Sequence, residues 1–350
     1  MTFRVYFHCL FWGLALLLSS PLDAAGKKSA SDEFFVLPDE GLSGLQGAFD
    51  SARHEIRIEV CALSDRSLLQ SLADAEKRGV KVRVILDRLH YKGHERERQI
   101  LGELLIASGG EVHVSHAMFP HTIGNFIIID ERTFMVGSTC FDPINMDRYR
   151  DFEILDHRQQ ELKELIRVFE NDWNHTAHAG NASANYNPTP PISTDDLMVS
   201  PYNSAERMLH HLQAAENSVD IYTELLGNIV VEAELAELVR LGVKVRILTP
   251  FTLENMAVEV LEAHRAAMLR LKSAGVEIRT RRSTPVSTDA PYFHARGVLI
   301  DNHFLALGAV SFGPESITAN RGVDLITRKK EVIQSYRKIF EQDFKAAEAY

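Results

Sequence analysis

Apolar positions along the chain fall into two alternating rhythms. Between residues 66 and 78 leucines and alanines recur every three or four positions, the period of a helix buried on one face. Residues 80–86, Val-Lys-Val-Arg-Val-Ile-Leu, begin by alternating and end wholly apolar, as a strand does inside a covered sheet. The same reading gives a helix over 96–108, a strand over 111–114, paired strands over 126–130 and 133–136, and a closing helix over 159–173. Strands and helices that take turns in this way predict an α/β fold, a parallel or mixed sheet covered by helices.

The pattern then starts again. Gly79-Val80-Lys81-Val82-Arg83 returns unchanged 163 positions on as Gly242-Val243-Lys244-Val245-Arg246, and the same offset lays Ile56-Arg57-Ile58 on Val219-Asp220-Ile221. Asp130, Gly137 and Phe169-Glu170-Asn171-Asp172-Trp173 return 171 positions on as Asp301, Gly308 and Phe340-Glu341-Gln342-Asp343-Phe344. Constant offsets over separate landmarks mean two copies of one unit. The growth from 163 to 171 places eight extra residues in the second copy, between its second strand and the stretch holding Asp301, where a loop is expected to absorb them. Residues 26–173 make the first copy and 199–350 the second; 174–198, rich in Asn, Ala, Pro, Ser and Thr, read as a linker. Asn174-His175-Thr176 and Asn181-Ala182-Ser183 are formal glycosylation acceptors, relevant only to a eukaryotic source.

The start of the chain breaks the pattern. Arg4, an apolar run from Leu10 to Leu18, and then Pro21 and Ala24-Ala25 have the layout of a cleaved secretory signal peptide over residues 1–25. The run is shorter than the roughly 20 residues of a membrane span. Secretion or a periplasmic location is the expectation. The exported chain would keep Cys61 and Cys140, which read as two buried free thiols, with a disulfide open to them in an oxidising compartment. No closely spaced Cys/His pair has the spacing of a structural zinc site, so no metal is expected. A formal charge of −10 disfavours nonspecific binding to nucleic acid. Arg279, Arg281 and Arg282 form the densest basic patch, and a solvated loop would explain them equally well.

In the second copy His294-Ala295-Arg296, four residues and Asp301 are followed by Gly308-Ala309-Val310-Ser311. This resembles the phospholipase D signature, in which His, any residue, Lys, four residues and Asp precede a Gly-Ser-any-Asn element. The strand entry at Arg78 to Arg83 and the ending at Phe169 to Trp173 are similar to that family too, so the resemblance spans nearly the whole exported chain. It implies two phospholipase D-like repeats, each a mixed sheet flanked by helices, packed as a pseudo-dimer. It also implies one site at their interface that works without a cofactor. In that family one histidine forms a covalent phosphohistidine, the other repeat's histidine protonates the leaving group, and Lys and Asn residues clamp the phosphate.

The first copy departs from the signature. Ile123 stands where the family has His, Asn125 where it has Lys, and Gly137-Ser138-Thr139-Cys140 ends in Cys instead of Asn. In the second copy Arg296 replaces Lys, Ala309 replaces Ser, Ser311 replaces Asn, and Gly322 falls where the family often has Glu. The resemblance makes His294 the nucleophile, with the motif residue Asp301 beside it, and makes Arg296, Ser311, Asn125 and Ser138 phosphate-binding. Residues at i and i+2 share a strand face, so His294 and Arg296 are expected to point into one cleft. His121, two residues before Ile123, keeps strand parity with it and is the candidate acid, although a surface loop histidine would look the same. Asp130 and Asp301 also each sit where an apolar strand turns into its neighbour, and turn capping alone would select them.

Two functions follow. One is a phosphodiesterase or phosphatidyltransferase acting on phospholipid as a monomer, with peripheral membrane contact and with nucleic acid as the second substrate class. The other is a catalytically inactive protein that keeps the fold and binds a phosphorylated ligand.

Overall fold

The computed structural model describes residues 33–41, 43–176, 191–253, 256–281, 290–309 and 311–350. The expected signal peptide, Arg282 and most of the expected linker lie outside the described residues.

In the first half, β1 (Glu33–Leu37), α1 (Ser43–Ser51), β2 (Glu55–Val60), α2 (Arg66–Lys77), β3 (Lys81–Leu86), α3 (Arg88–Gly93), α4 (Glu95–Leu104) and β4 (Glu111–Val114) come first. β5 (Thr122–Ile123), β6 (Phe126–Ile129), β7 (Thr133–Gly137), α5 (Pro143–Arg148), β8 (Tyr149–Asp156) and α6 (Gln159–His175) follow. The second half has β9 (Leu197–Ser200), α7 (Ser204–Gln213), β10 (Ser218–Tyr222), α8 (Ile229–Arg240), β11 (Lys244–Pro250), α9 (Val258–Ser273) and β12 (Glu277–Arg281). It ends with β13 (Tyr292–Phe293), β14 (Gly297–Ile300), β15 (Phe304–Gly308), β16 (Arg321–Thr327), α10 (Lys330–Ala346) and β17 (Glu348–Ala349).

The two sheets share one order. The first contains β8-β7-β6-β2-β3-β4 and the second β16-β15-β14-β10-β11-β12, with β2, β3 and β4 parallel as are β10, β11 and β12. The landmarks of the repeat have local reasons. Helices α2 and α8 are N-capped by Asp65 and Asn228, and each is followed by a left-handed glycine, Gly79 (φ 88°) or Gly242 (φ 91°). Asp130 and Asp301 also adopt left-handed turns. The extra residues of the second copy are divided. β4 and β12 begin 166 positions apart, at 111 and 277, so three of the eight enter earlier, where α9 is longer than α4. β9 also begins inside the expected linker.

The sheets do more than stack. β5 of the first repeat adds to β16 of the second, and β13 of the second adds to β8 of the first. Between the sheets the closing helices α6 and α10 and the facing strands share a core that includes Phe126, Phe152, Phe169, Tyr222, Leu299, Tyr336 and Phe340. Each repeat has its own core on the outer face of its sheet. Full burial of one such side chain contributes about 1.5–3 kcal/mol, so the shared cluster holds the halves as one body.

The closing motif is explained residue by residue. Glu170 and Glu341 pair with Arg83 and Arg246 of their own repeats. Asp172 and Asp343 cross over: Arg321 donates two 2.6 Å bonds to Asp172, and Arg150 Nε donates at 2.8 Å to Asp343. Arg150 and Arg321 are themselves 171 positions apart, so the two crossed pairs are repeat mates. Among the described residues no helix is long and apolar enough to cross a membrane.

Candidate functional site

β13 leaves its own sheet, and Ala295 N–H donates to Arg150 O at 2.7 Å. This lays residues 292–296 along β8 and sets His294 over Asp151, at the end where β10 finishes beside the start of β14. His294 and Asp151 are both buried, at 5% and 0% exposure. His294 Nδ1 lies 2.9 Å from each carboxylate oxygen of Asp151. Ser138 Oγ donates to Asp151 Oδ1 at 2.5 Å and accepts from Phe152 N–H at 3.2 Å, fixing the carboxylate in turn. On the other side of the ring, Arg296 Nη2 approaches His294 Nε2 to 3.1 Å. A guanidinium can only donate, so Nε2 accepts and the ring proton sits on Nδ1, facing Asp151. This tautomer leaves Nε2 as the nucleophilic atom.

Arg296 also donates to Glu224 Oε2 at 3.0 Å, and Glu224 lies 3.7 Å from His294 Nε2. Burial alone would raise the Glu224 carboxyl, but Arg296 and the Tyr292 hydroxyl hold it below the usual carboxylate range. The clamp expected for phosphate is therefore engaged with a partly buried carboxylate.

The symmetry-related half-site is gone as a unit. Offset by 171, Ile123 replaces His294, Gly322 stands for Asp151 and Ala309 for Ser138; Gly322 and Ile123 face one another where β5 joins β16. Asn125 takes the place of Arg296, and Cys140 that of Ser311. Cys61, offset by 163, takes the place of Glu224. The expectation of two free thiols is corrected here, because Cys61 and Cys140 form a disulfide with their Cα atoms 5.5 Å apart. The bridge closes the first half-site at the ends of β2 and β7. It spans 79 residues, so reduction, or Cys140→Ser, is expected to lower stability by about 2–4 kcal/mol. Urea unfolding with and without reductant reads this; the serine variant should no longer respond to reductant.

Several residues assigned from the resemblance have other work. Asn125 is buried; its Oδ1 accepts from Cys61 N–H and its Nδ2 donates to Ser138 O, both at 3.2 Å, so its amide is spent inside the fold. Ser138, expected to bind phosphate, supports Asp151. Ser311 Oγ bonds to Ser316 at 2.8 Å. Asp301 accepts the backbone N–H groups of Glu216, Asn217 and Ser218 at 2.7–2.8 Å, at the opposite end of β14 from His294. Asp130 does the same for Arg53, His54 and Glu55. The motif aspartate thus fastens a hairpin turn to the entry of the neighbouring strand. His121 is half-exposed and its Nδ1 lies 3.7 Å from Asp87, which with burial opposing it raises the His121 pKa. The structure does not join it to His294. Arg279 and Arg281 lie on β12 and pack over Phe344 and Phe293.

Asp151 and Glu224 were not singled out from sequence. Asp151 was within reach: it is the repeat mate of Gly322, the position already marked as one where the family has a carboxylate. Glu224 had no comparable signal, because its mate is a cysteine.

A family model described as cardiolipin synthase, PLD-like domain, matches residues 45–173 and 208–344. Among solved structures, phosphatidylserine synthase from Haemophilus influenzae Rd KW20 aligns with a TM-score of 0.69 at 11% identity, over 92% of this chain and 88% of its own. Polyphosphate kinase from Porphyromonas gingivalis aligns with a TM-score of 0.63 at 13% identity, over 90% of this chain; that alignment spans only 47% of the kinase. No relative is detected among curated proteins.

Proposed function

We propose that this chain, which belongs to the phospholipase D-like family described by the cardiolipin synthase domain, acts on phosphodiesters through one histidine, His294. The observation that carries this reading is the asymmetry of the two half-sites. Histidine, carboxylate and serine are all kept on one side and all replaced by apolar or small residues on the other.

In the proposed reaction His294 Nε2 attacks phosphorus, the bond to the leaving oxygen breaks, and a phosphohistidine forms while Nδ1–H stays bound to Asp151. Water or a second alcohol then attacks phosphorus, the Nε2–P bond breaks to regenerate the neutral ring, and the proton of the attacking hydroxyl returns to the group that protonated the leaving oxygen. The incoming phosphate must draw Arg296 away from Glu224. The leaving oxygen takes its proton from His121, whose pKa Asp87 raises, or from solvent.

Phospholipid is the favoured substrate class. Leu89, Met118, Ile144, Ile229, Val230 and Val258 are exposed apolar residues on connections that leave the site-bearing ends of the strands. The net charge of −10 opposes a polyanionic strand. Export belongs to the same proposal, and the Cys61–Cys140 bridge fits an oxidising compartment.

A second reading, ligand binding without turnover, is favoured by Glu224, which neutralises Arg296 next to Nε2. The test offers phospholipid vesicles, a chromogenic diester and single-stranded DNA without metal, beside a His294→Ala control. Turnover that disappears in the variant supports the enzyme. Turnover that survives it removes His294 from the chemistry, and none on any substrate moves the case to the binding reading.

A further inference from the structure

We propose that His90, His94 and Glu97 form a binding site for a divalent transition metal of the zinc class. The cluster lies outside the phosphodiester site, where α3 breaks into α4. The break at His94 (φ −119°, ψ 79°) turns its side chain back towards His90. The three groups line one recess floored by Ala62, Leu63 and Leu101. One ligand atom from each lies within 4.8 Å of the others.

The donors suit the metal. Two imidazoles and one carboxylate are a zinc ligand set that leaves a fourth position for water. His94 Nδ1 lies 2.9 Å from the carbonyl oxygen of His90. A carbonyl only accepts, so Nδ1 carries the proton and Nε2 presents its lone pair. Histidines bound to metal usually make this outer hydrogen bond, because it fixes the tautomer that coordinates. His90 Nε2 and Glu97 Oε2 already lie side by side at 2.8 Å, sharing a proton that a cation would displace. Ligand atoms about 2.0–2.1 Å from a tetrahedral ion are roughly 3.3 Å apart, so the spacing must contract. The imidazole rings stack at 3.9 Å with 13° between their planes, and His94 must swing out of the stack to share an ion with His90. Its exposed position leaves room for that rotation.

The spacing His90, three residues, His94 is present in the sequence, and the expectation of no metal rested on the absence of a closely spaced Cys/His pair. Without a metal, the same residues are an ion pair beside a stacked histidine, and this is the rival account.

Calorimetric titration of the purified protein with zinc chloride at neutral pH separates the two. The expected result is saturable binding of one ion per chain, weakened about tenfold or more by His94→Ala and by Glu97→Gln. Zinc should also raise the melting temperature of the wild type more than that of either variant at the same concentration. His94 is exposed, so its alanine variant should fold, and its circular dichroism confirms that. No saturable binding, or equal affinity in the wild type and both variants, overturns the site.

Discussion

Asp343→Ala is expected to destabilise the protein by about 3–5 kcal/mol, the cost of leaving a buried charge without its partner. Arg150 donates from Nε to Asp343 at 2.8 Å, and the Tyr222 hydroxyl donates to the same oxygen at 2.8 Å. Both donors are buried, and the remaining carboxylate partner of Arg150, Asp39, is half-exposed. Asp172→Ala, the repeat-related change, should cost less although Arg321 is fully buried. Tyr222 has Glu59 as its mate, 163 positions back, and Glu59 is a carboxyl that can ionise. Burial, and behind it the charge of Asp172, hold Glu59 well above the ordinary carboxylate range. With Asp172 gone, Glu59 can release its proton and face Arg321. The tyrosine hydroxyl, itself pushed up by burial, cannot do the same for Arg150. Urea unfolding of the two variants measures both costs. A loss under about 1 kcal/mol for Asp343→Ala would sink the claim that the crossed pair fastens the repeats, and a larger loss for Asp172→Ala would sink the compensation by Glu59.

Asp151→Asn is expected to lower turnover by about two to four orders of magnitude while leaving the fold intact, since the amide fills the same volume. The reason is the tautomer. Asp151 accepts the Nδ1 proton of His294 through both oxygens, whereas an amide nitrogen would oppose that proton with hydrogens of its own. Nitrogen NMR of His294 should find the proton on Nδ1 in the wild type and moved to Nε2, or shared, in the variant. A merely structural role for Asp151 predicts no such change. An unchanged tautomer together with unchanged turnover would remove Asp151 from the mechanism. Turnover lost at an unchanged tautomer would mean that the carboxylate acts by its charge.

Most of the fold was legible because it is local and repeated. Gly79 and Gly242 end helices, Asp65 and Asn228 begin them, and alternation marks the strands; each depends on neighbours a few residues away. The duplication added long-range information, since two offsets matched each landmark of one copy to its counterpart in the other. Asp301 shows the limit of motif reading. Its spacing from His294 is real, but the four residues of β14 carry it to the far end of that strand, where it bonds three backbone amides.

The sequence alone determined that the chain is two α/β units of one kind, that His294 is kept and its mate is Ile123, and that the second copy is longer. The tertiary structure decided which groups meet. Asp151 reaches His294 across 143 positions because β13 crosses to the other repeat's sheet. Cys61 meets Cys140 because β2 and β7 end together, and Glu224 meets Arg296 because β10 finishes beside β14. Sequence periodicity reports how a residue faces its own element. It is silent on which distant element comes to lie opposite, because strand pairing and the exchange between repeats are fixed by packing of the whole chain.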